Sequence, residues 1–304
     1  MRVKIWLRAL RAPFFQASII PVVLGTSVAW YKTGVFYPGY FLVALLGAVS
    51  LHAGANLAND YFDHKTGADD LNQQPTPFSG GSRVIQQGLI TPQAIYRASL
   101  LFLGLGSLAG MYLVWTRGWP ILVIGLIGVL SAYYYTSGPL KIGYRGFGEL
   151  LVGLNFGPLM VLGAYFVQAA NFSMDAFAAS LPVGLLIAAI LYINEFPDYN
   201  ADKAAGKKTL IVKIGPEKAV KGYYFLLTLA YLSIVAGSLT GMIPWAGLLC
   251  LATLPLAYKS IKMTRKNYAD TKAITPAMAN TVGLHLAMGL LLSAAYLVTP
   301  IVRL

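Results

Sequence analysis

Nine apolar runs alternate along the chain with short stretches of charged and turn-forming residues, at approximately 14–31, 39–59, 93–115, 119–137, 147–168, 177–196, 221–240, 243–261 and 277–299. A helix needs roughly 20 mostly apolar residues to cross about 30 Å of hydrocarbon, and each run meets that length within the uncertainty of its ends. The expected fold is all-α and integral to a membrane: nine transmembrane helices enclosing a central cavity, with cytoplasmic cap loops, in one polytopic domain over 1–304. The first run follows Arg2, Lys4, Arg8 and Arg11, as in a signal peptide. It is longer than a signal-peptide core and no A-x-A-like site closes it, so it reads as a retained span.

Composition agrees with this reading. Hydrophobic residues make up 57% of the 304 and charged residues only 11%, against about 25% charged in soluble domains. The net charge is +12, and the charges fall between the apolar runs. Sorting Lys and Arg by alternate loops puts twenty on the side of the amino terminus and three (Lys32, Arg117 and Arg303) on the other. The positive-inside rule then makes the amino terminus cytoplasmic and the carboxy terminus external. The basic excess reflects topology and contact with anionic membrane lipid, with no nucleic-acid partner required. A lone Cys250 excludes an internal disulfide, and His52, His64 and His285 are too scattered for a zinc-type cluster.

Seven of the eleven acidic residues lie in two short segments, Asp60, Asp63, Asp69 and Asp70 after the second run, and Glu195, Asp198 and Asp202 after the sixth. Both segments are expected at the cytoplasmic face. Acids at the ends of apolar helices are costly and are usually retained for function. Asp60 and Asp63 are three apart and Asp198 and Asp202 four apart, so each pair shares a helix face, and Asn56 and Asn59 extend the first. Two facing carboxylate pairs repel unless cations intervene. Oxygen ligands of this kind suit Mg²⁺, which completes its shell with water and phosphate oxygens. A phosphorylated substrate bridged by metal is therefore expected. The competing reading is a pair of solvated helix ends.

Basic and glycine residues surround both segments: Gly80-Gly81-Ser82-Arg83 after the first, Lys203, Gly206, Lys207, Lys208 and Thr209 after the second, and Lys141 and Arg145 in the intervening loop. Mg²⁺ with a diphosphate would satisfy acids and bases together. A weak internal repeat pairs the segments, since Thr91-Pro92 and Gly215-Pro216 each lead from one into a span with an N-cap followed by Pro at the first helical position. The chain thus divides into two weakly similar halves, with acidic motif 1 at 56–70 and motif 2 at 194–209.

Asn56-x-x-Asn59-Asp60-x-x-Asp63-x-x-x-Gly67-x-Asp69, together with Asp198-x-x-x-Asp202-x-x-x-Gly206-Lys207-x-Thr209-Leu210, resembles the UbiA superfamily of intramembrane prenyltransferases over the whole chain. The segment Tyr135-Thr-Ser-Gly-Pro139-Leu-Lys141-x-x-Tyr144-x-Gly146-x-Gly148-Glu149, and Gly67 where the ubiquinone branch usually has aspartate, resemble the menaquinone branch, which prenylates dihydroxynaphthoate. Motif 2 departs from that branch at Glu195 and Pro197, where asparagine and arginine are common. The resemblance implies transfer of a polyprenyl group from an isoprenyl diphosphate to an aromatic or lipid-like acceptor. It further implies Mg²⁺ held by Asp60, Asp63, Asp198 and Asp202, with Asn56 and Asn59 nearby. Arg83, Lys141, Arg145, Lys207 and Tyr135 become candidates for the diphosphate or substrate. Aromatic faces stabilise an allylic cation, which makes Tyr61, Phe62 and Tyr133 to Tyr135 candidates to line the site, beside the ordinary alternative of helix packing.

Smaller signals point to structure. Asn155 and His285 read as interhelical hydrogen-bonding groups, Glu149 as a helix N-terminal acid, and Gly25, Gly47, Gly104, Gly106, Gly110, Gly125 and Gly128 as close helix contacts. Three other functions share some of these features. A cation-coupled transporter would also carry membrane carboxylates, but usually in mid-span rather than at span ends. A nucleotide-dependent lipid headgroup transferase would show a D-G-x-x-A-R run that is missing beside these aspartates. A glycerophosphate acceptor, as in ether-lipid synthesis, would use the same metal site.

Overall fold

The computed structural model describes residues 2–302, with side chains to 299. Arg303 and the chain end, assigned above to the external side, lie outside the described residues. Thirteen α-helices follow in order: α1 (Arg2–Ala9), α2 (Gln16–Thr33), α3 (Pro38–Lys65), α4 (Ala68–Leu71), α5 (Pro92–Arg117), α6 (Pro120–Tyr134), α7 (Gly148–Leu154), α8 (Met160–Ala169), α9 (Met174–Ala204), α10 (Leu210–Ile214), α11 (Pro216–Leu239), α12 (Leu254–Asn267) and α13 (Thr271–Val302). No strand occurs among the described residues.

Local sequence explains the starts and stops. Proline occupies the first position of α3, α5, α6 and α11, where its missing N–H costs nothing. The cap expected at Thr91 is made, its hydroxyl accepting from the Ala94 N–H. Asn155–Leu159 forms a π turn with Pro158 inside it, joining α7 to α8 as one apolar rod over Gly148–Ala169.

Among the described residues, seven helical segments are long and apolar enough to cross a membrane: Ala12–Thr33, Pro38–Lys65, Pro92–Arg117, Gly148–Ala169, Met174–Ala204, Pro216–Leu239 and Thr271–Thr299. Two of the nine expected spans take another form. The 119–137 run is a helix of only 15 residues, α6. The 243–261 run divides into a 3-10 stretch over Trp245–Thr253 and then α12, whose last turn carries Arg265 and Lys266. Hydropathy registers apolar content along a run but not where a helix changes pitch.

The main core joins α2, α8, α9, α11 and α13 around side chains such as Leu24, Val183, Leu186, Tyr223 and Tyr296. Close approach here depends on glycine: a Cβ at Gly25 would lie 2.3 Å from the Val161 carbonyl oxygen, and one at Gly157 would lie 2.6 Å from the Gly184 Cα. Helix α3 runs alongside α5. With 28 and 31 residues, α3 and α9 are about 42 and 46 Å long, beyond the hydrocarbon thickness. Their carboxy-terminal turns carry both acidic motifs to one end of the bundle. The other end is closed by a Lys32–Asp175 ion pair of 2.6 Å and by Arg117 over the Tyr37 and Tyr40 rings.

Candidate active site

The two acidic motifs meet. The Lys207 ammonium lies 3.0 Å from Asp63 and 3.3 Å from Asp202, bridging one carboxylate of each motif. Those oxygens are accordingly no more than about 6 Å apart. Motif 1 reaches this point because Asn59, Asp60 and Asp63 fall on one face of α3. The Asn59 amide donates to Asp63 at 3.2 Å, and the Tyr144 hydroxyl donates to the other Asp63 oxygen at 2.6 Å. Motif 2 reaches it through the 205–209 turn, which returns Lys207 onto α9, its backbone N–H bonded to the Asp202 carbonyl.

A glycine loop straps the motifs together. The Gly80 N–H donates to Asp198 at 3.1 Å and the Ser82 N–H to Asp60 at 3.3 Å, while the Asn72 amide donates to Asp198 at 2.7 Å. Gly80 and Gly81 have φ near +75°, and a Cβ on Gly81 would meet the Asp69 carboxylate at 2.6 Å. Only glycine fits that approach.

Five aspartates (Asp60, Asp63, Asp69, Asp198 and Asp202) surround two cations, Lys207 and Arg11. Arg11 donates to Asn59 at 3.0 Å and pairs with Asp60. Burial works against both positive charges. For Lys207, Asp63 and Asp202 outweigh it, and for Arg11, Asp60 with Asp69 and Asp63 does so; both stay protonated above their ordinary range. Burial, then Asp63 and Asp60, push the Asp69 carboxyl up to about 8. Burial and Asp63 likewise raise the Tyr144 phenol. The cluster is short of positive charge. Asp60 Oδ2 is buried with no hydrogen-bond partner among the described residues, and none of them form a group of three or more His, Cys, Asp or Glu side chains that could hold a metal ion. Hard oxygens in excess over cations, one of them orphaned, fit a divalent ion of the Mg²⁺ type.

Beneath the aspartates a cavity of about 430 Å³ opens between the helices. Asn56, Asn59, Asp63, Asp198, Asp202, Lys207 and Tyr135 line it, as do Asp69, Arg11 and Tyr144. Asn56 is anchored through its amide to the Leu10 carbonyl. Four sequence candidates stay outside, among them Asp60, whose carboxylate is turned to Arg11 and the Ser82 N–H. The Arg83 guanidinium donates to the Asp69 carbonyl, Arg145 donates to the Pro139 carbonyl at 3.1 Å, and Lys141 rests over the Tyr144 ring at 5.4 Å. Tyr61, Phe62 and Tyr133 also stay outside, packed with Tyr96 between α3, α5 and α6. The aromatic walls are Phe14, Phe78, Tyr135, Tyr144 and Phe156.

The sequence assigns Arg11 no part in the site and carries Tyr144 only as a position of the Tyr135–Glu149 segment. Arg11 looks like any other basic residue before a first span, and its one local oddity, a left-handed φ of 52°, is invisible there. Glu149 does lie in the first turn of α7, but its carboxyl is buried next to Glu195 rather than serving only the helix end. Asn155 bonds within its own helix, to the Leu151 carbonyl at 2.8 Å, whereas His285 makes the expected interhelical bond, to Gln16 at 3.2 Å. The glycines divide as well. Gly25, Gly47 and Gly106 meet neighbouring helices, while a Cβ at Gly104, Gly110, Gly125 or Gly128 would meet nothing within 4 Å. Gly110, Gly125 and Gly128 face the cavity and keep it open.

Residues 18–282 match the UbiA prenyltransferase family. The chain is 31% identical over 294 residues to 2-carboxy-1,4-naphthoquinone phytyltransferase of Synechocystis, covering 96% of this chain and 93% of that protein. It is 33% identical over 281 residues to 1,4-dihydroxy-2-naphthoate octaprenyltransferase of Mycobacterium tuberculosis, covering 91% of each. A solved UbiA homolog from Archaeoglobus fulgidus bound to DMAPP and Mg²⁺ superposes with a TM-score of 0.65 at 19% identity, covering 95% of this chain and 99% of that one. Motifs, fold and relatives agree, and the chain belongs to the UbiA prenyltransferase family.

Proposed function

We propose that this chain transfers a polyprenyl group from an isoprenyl diphosphate to an acceptor of the 1,4-dihydroxy-2-naphthoate type, in menaquinone synthesis, with Mg²⁺ held by Asp60, Asp63, Asp198 and Asp202. The observation that carries this reading is the excess of buried aspartate oxygens over cations directly above an apolar cavity. Relatives named for naphthoate prenyl transfer, and a homolog bound to DMAPP and Mg²⁺, support it. When bound, the divalent ion supplies positive charge to the diphosphate. Lys207 and Arg11 add fixed positive charge beside the departing oxygens. The C1–O bond breaks with its electron pair going to diphosphate; an acceptor ring carbon supplies the pair for the new C–C bond and then loses its proton. Tyr135 and Tyr144 offer ring faces near the allylic carbon. The mainly apolar lining of the cavity below disfavours water, which would otherwise capture the cation.

In this reading α6 and the 245–267 segment complete nine crossings. The amino terminus and active site are then cytoplasmic, consistent with the twenty-to-three division of basic residues. Purified protein given labelled geranylgeranyl diphosphate and a panel of acceptors is expected to prenylate 1,4-dihydroxy-2-naphthoate, to stop on chelation and to recover with Mg²⁺. Prenylation of a glycerophosphate instead, or diphosphate release indifferent to chelator, overturns the assignment.

The open glycines make a second expectation for the tail. Gly125 lines the cavity and a Cβ there would meet nothing within 4 Å, so Gly125→Phe is expected to project its ring into the cavity. Transfer of a geranyl group is expected to stay within about threefold of wild type while transfer of a group twice as long falls at least about tenfold, through steric filling of the pocket. Equal effects on both lengths would place the tail elsewhere.

A further inference from the structure

The cavity walls differ in chemistry. From α5 and α6, the lining below Ser131 is glycine, alanine, leucine and isoleucine. On α3, by contrast, His52, Asn56, Asn59 and Asp63 all line the cavity, and their spacing of four, three and four residues places them on one helix face. His52 precedes Asp60 by eight residues, or about 12 Å of helix rise towards the membrane interior.

The His52 ring is held firmly. Its Nδ1 lies 2.8 Å from the Ser18 hydroxyl, and Phe15 and Phe156 meet its edges at centroid distances of 5.6 and 5.0 Å. Phe156 and Asn155 belong to the π turn, a distortion that recurs at functional sites. With the Asn155 amide nitrogen committed to Leu151, its carbonyl oxygen remains free to serve the cavity. His52 Nε2 has no hydrogen-bond partner among the described residues. A hydrocarbon tail packed here would leave both groups desolvated and unsatisfied, which is unfavourable. The aliphatic α5 and α6 side suits the tail; this side suits a flat ligand with hydroxyl groups.

We propose that His52 determines acceptor specificity, its Nε2 accepting a hydrogen bond from a ring hydroxyl of a fused-ring hydroxyarene that lies between Phe14 and Phe156. The Ser18 hydroxyl lies 2.8 Å from Nδ1, and in the tautomer in which Nδ1–H donates to it the Nε2 lone pair is free for the ring hydroxyl. The 12 Å step from Asp60 accommodates a diphosphate followed by one bicyclic ring, so the far hydroxyl meets His52 while a ring carbon faces the allylic carbon. Drawing on the hydroxyl proton enriches the ring in electrons at the carbon that attacks. This inference deepens the naphthoate reading and rests on it.

Steady-state kinetics in detergent, with geranylgeranyl diphosphate and 1,4-dihydroxy-2-naphthoate, provide the test. His52→Ala and His52→Phe are each expected to raise the acceptor KM about tenfold or more, with the diphosphate KM changed less than about twofold; His52→Gln, which keeps an acceptor atom near Nε2, is expected to recover most of the loss. One of the two monohydroxy analogues, 1-hydroxy- or 4-hydroxy-2-naphthoate, should cost wild type a similar factor and cost His52→Ala nothing further. Unchanged acceptor KM, equal rises for both substrates, or additive losses with both analogues overturn the role of His52 while leaving naphthoate prenylation intact. Failure of the wild type to prenylate any naphthoate overturns the underlying reading as well.

Discussion

Asp60→Asn and Asp198→Asn are each expected to lower prenyl transfer by about a thousandfold or more, the scale of losing charge stabilisation that acts only as the leaving group departs. Asparagine keeps the side-chain volume and isolates charge from packing. At position 60 it preserves an acceptor for Arg11 and for the Ser82 N–H, so the strap stays closed and the loss falls on the orphaned Oδ2. At position 198 the carboxylate accepts from both the Asn72 amide and the Gly80 N–H, and a carboxamide serves only one donor well. Asp198→Asn should therefore also lower the unfolding midpoint by a few degrees, as should Asp60→Asn, which takes the paired charge from the buried Arg11. Labelled-product formation beside thermal unfolding in the same detergent separates the two effects. Rates within tenfold of wild type in both variants would remove the metal assignment.

Much of this site was legible in the sequence because acids stand out in a chain that avoids charge. Asp60, Asp63, Asp198 and Asp202 are conspicuous by position, and their spacing already placed each pair on one helix face; Lys207 bridging Asp63 and Asp202 brings the two faces to one place. Cations are harder to sort. Arg11, Arg83 and Lys141 all belong to the positive-inside excess, and only the chain path decides that Arg11 enters the site while Arg83 turns to a backbone carbonyl. Aromatics and glycines fail for a related reason. Tyr61 follows Asp60 directly, but one residue along a helix is a 100° turn, enough to send its ring to Tyr96 and away from the cavity. Gly125 and Gly25 look alike in an apolar run, although one faces a void and the other a carbonyl. The run over 243–261 has span-like composition, but its 3-10 start follows from local hydrogen bonding that hydropathy does not carry.

Lys207→Met is expected to show why a lysine is buried among aspartates. In wild type its ammonium serves Asp63 and Asp202 and lies 4.7 Å from the Tyr144 ring centre. Removing it leaves two carboxylates of the cluster facing each other without their shared cation. Breaking a buried pair in this way costs roughly 3–5 kcal/mol, which should appear as a lower unfolding midpoint in chelator. Mg²⁺ restores positive charge to the same oxygens, so the variant should gain more from added Mg²⁺ than wild type does. If Lys207 also contacts the diphosphate, restoring stability will not restore function: at saturating Mg²⁺ the diphosphate KM should remain raised about tenfold, the order of losing one charge-assisted hydrogen bond. An unchanged midpoint in chelator would mean that Lys207 does not neutralise the aspartates. A restored midpoint with a normal diphosphate KM would make it a counter-ion alone, leaving Arg11 as the cation in the cavity positioned to meet the leaving group.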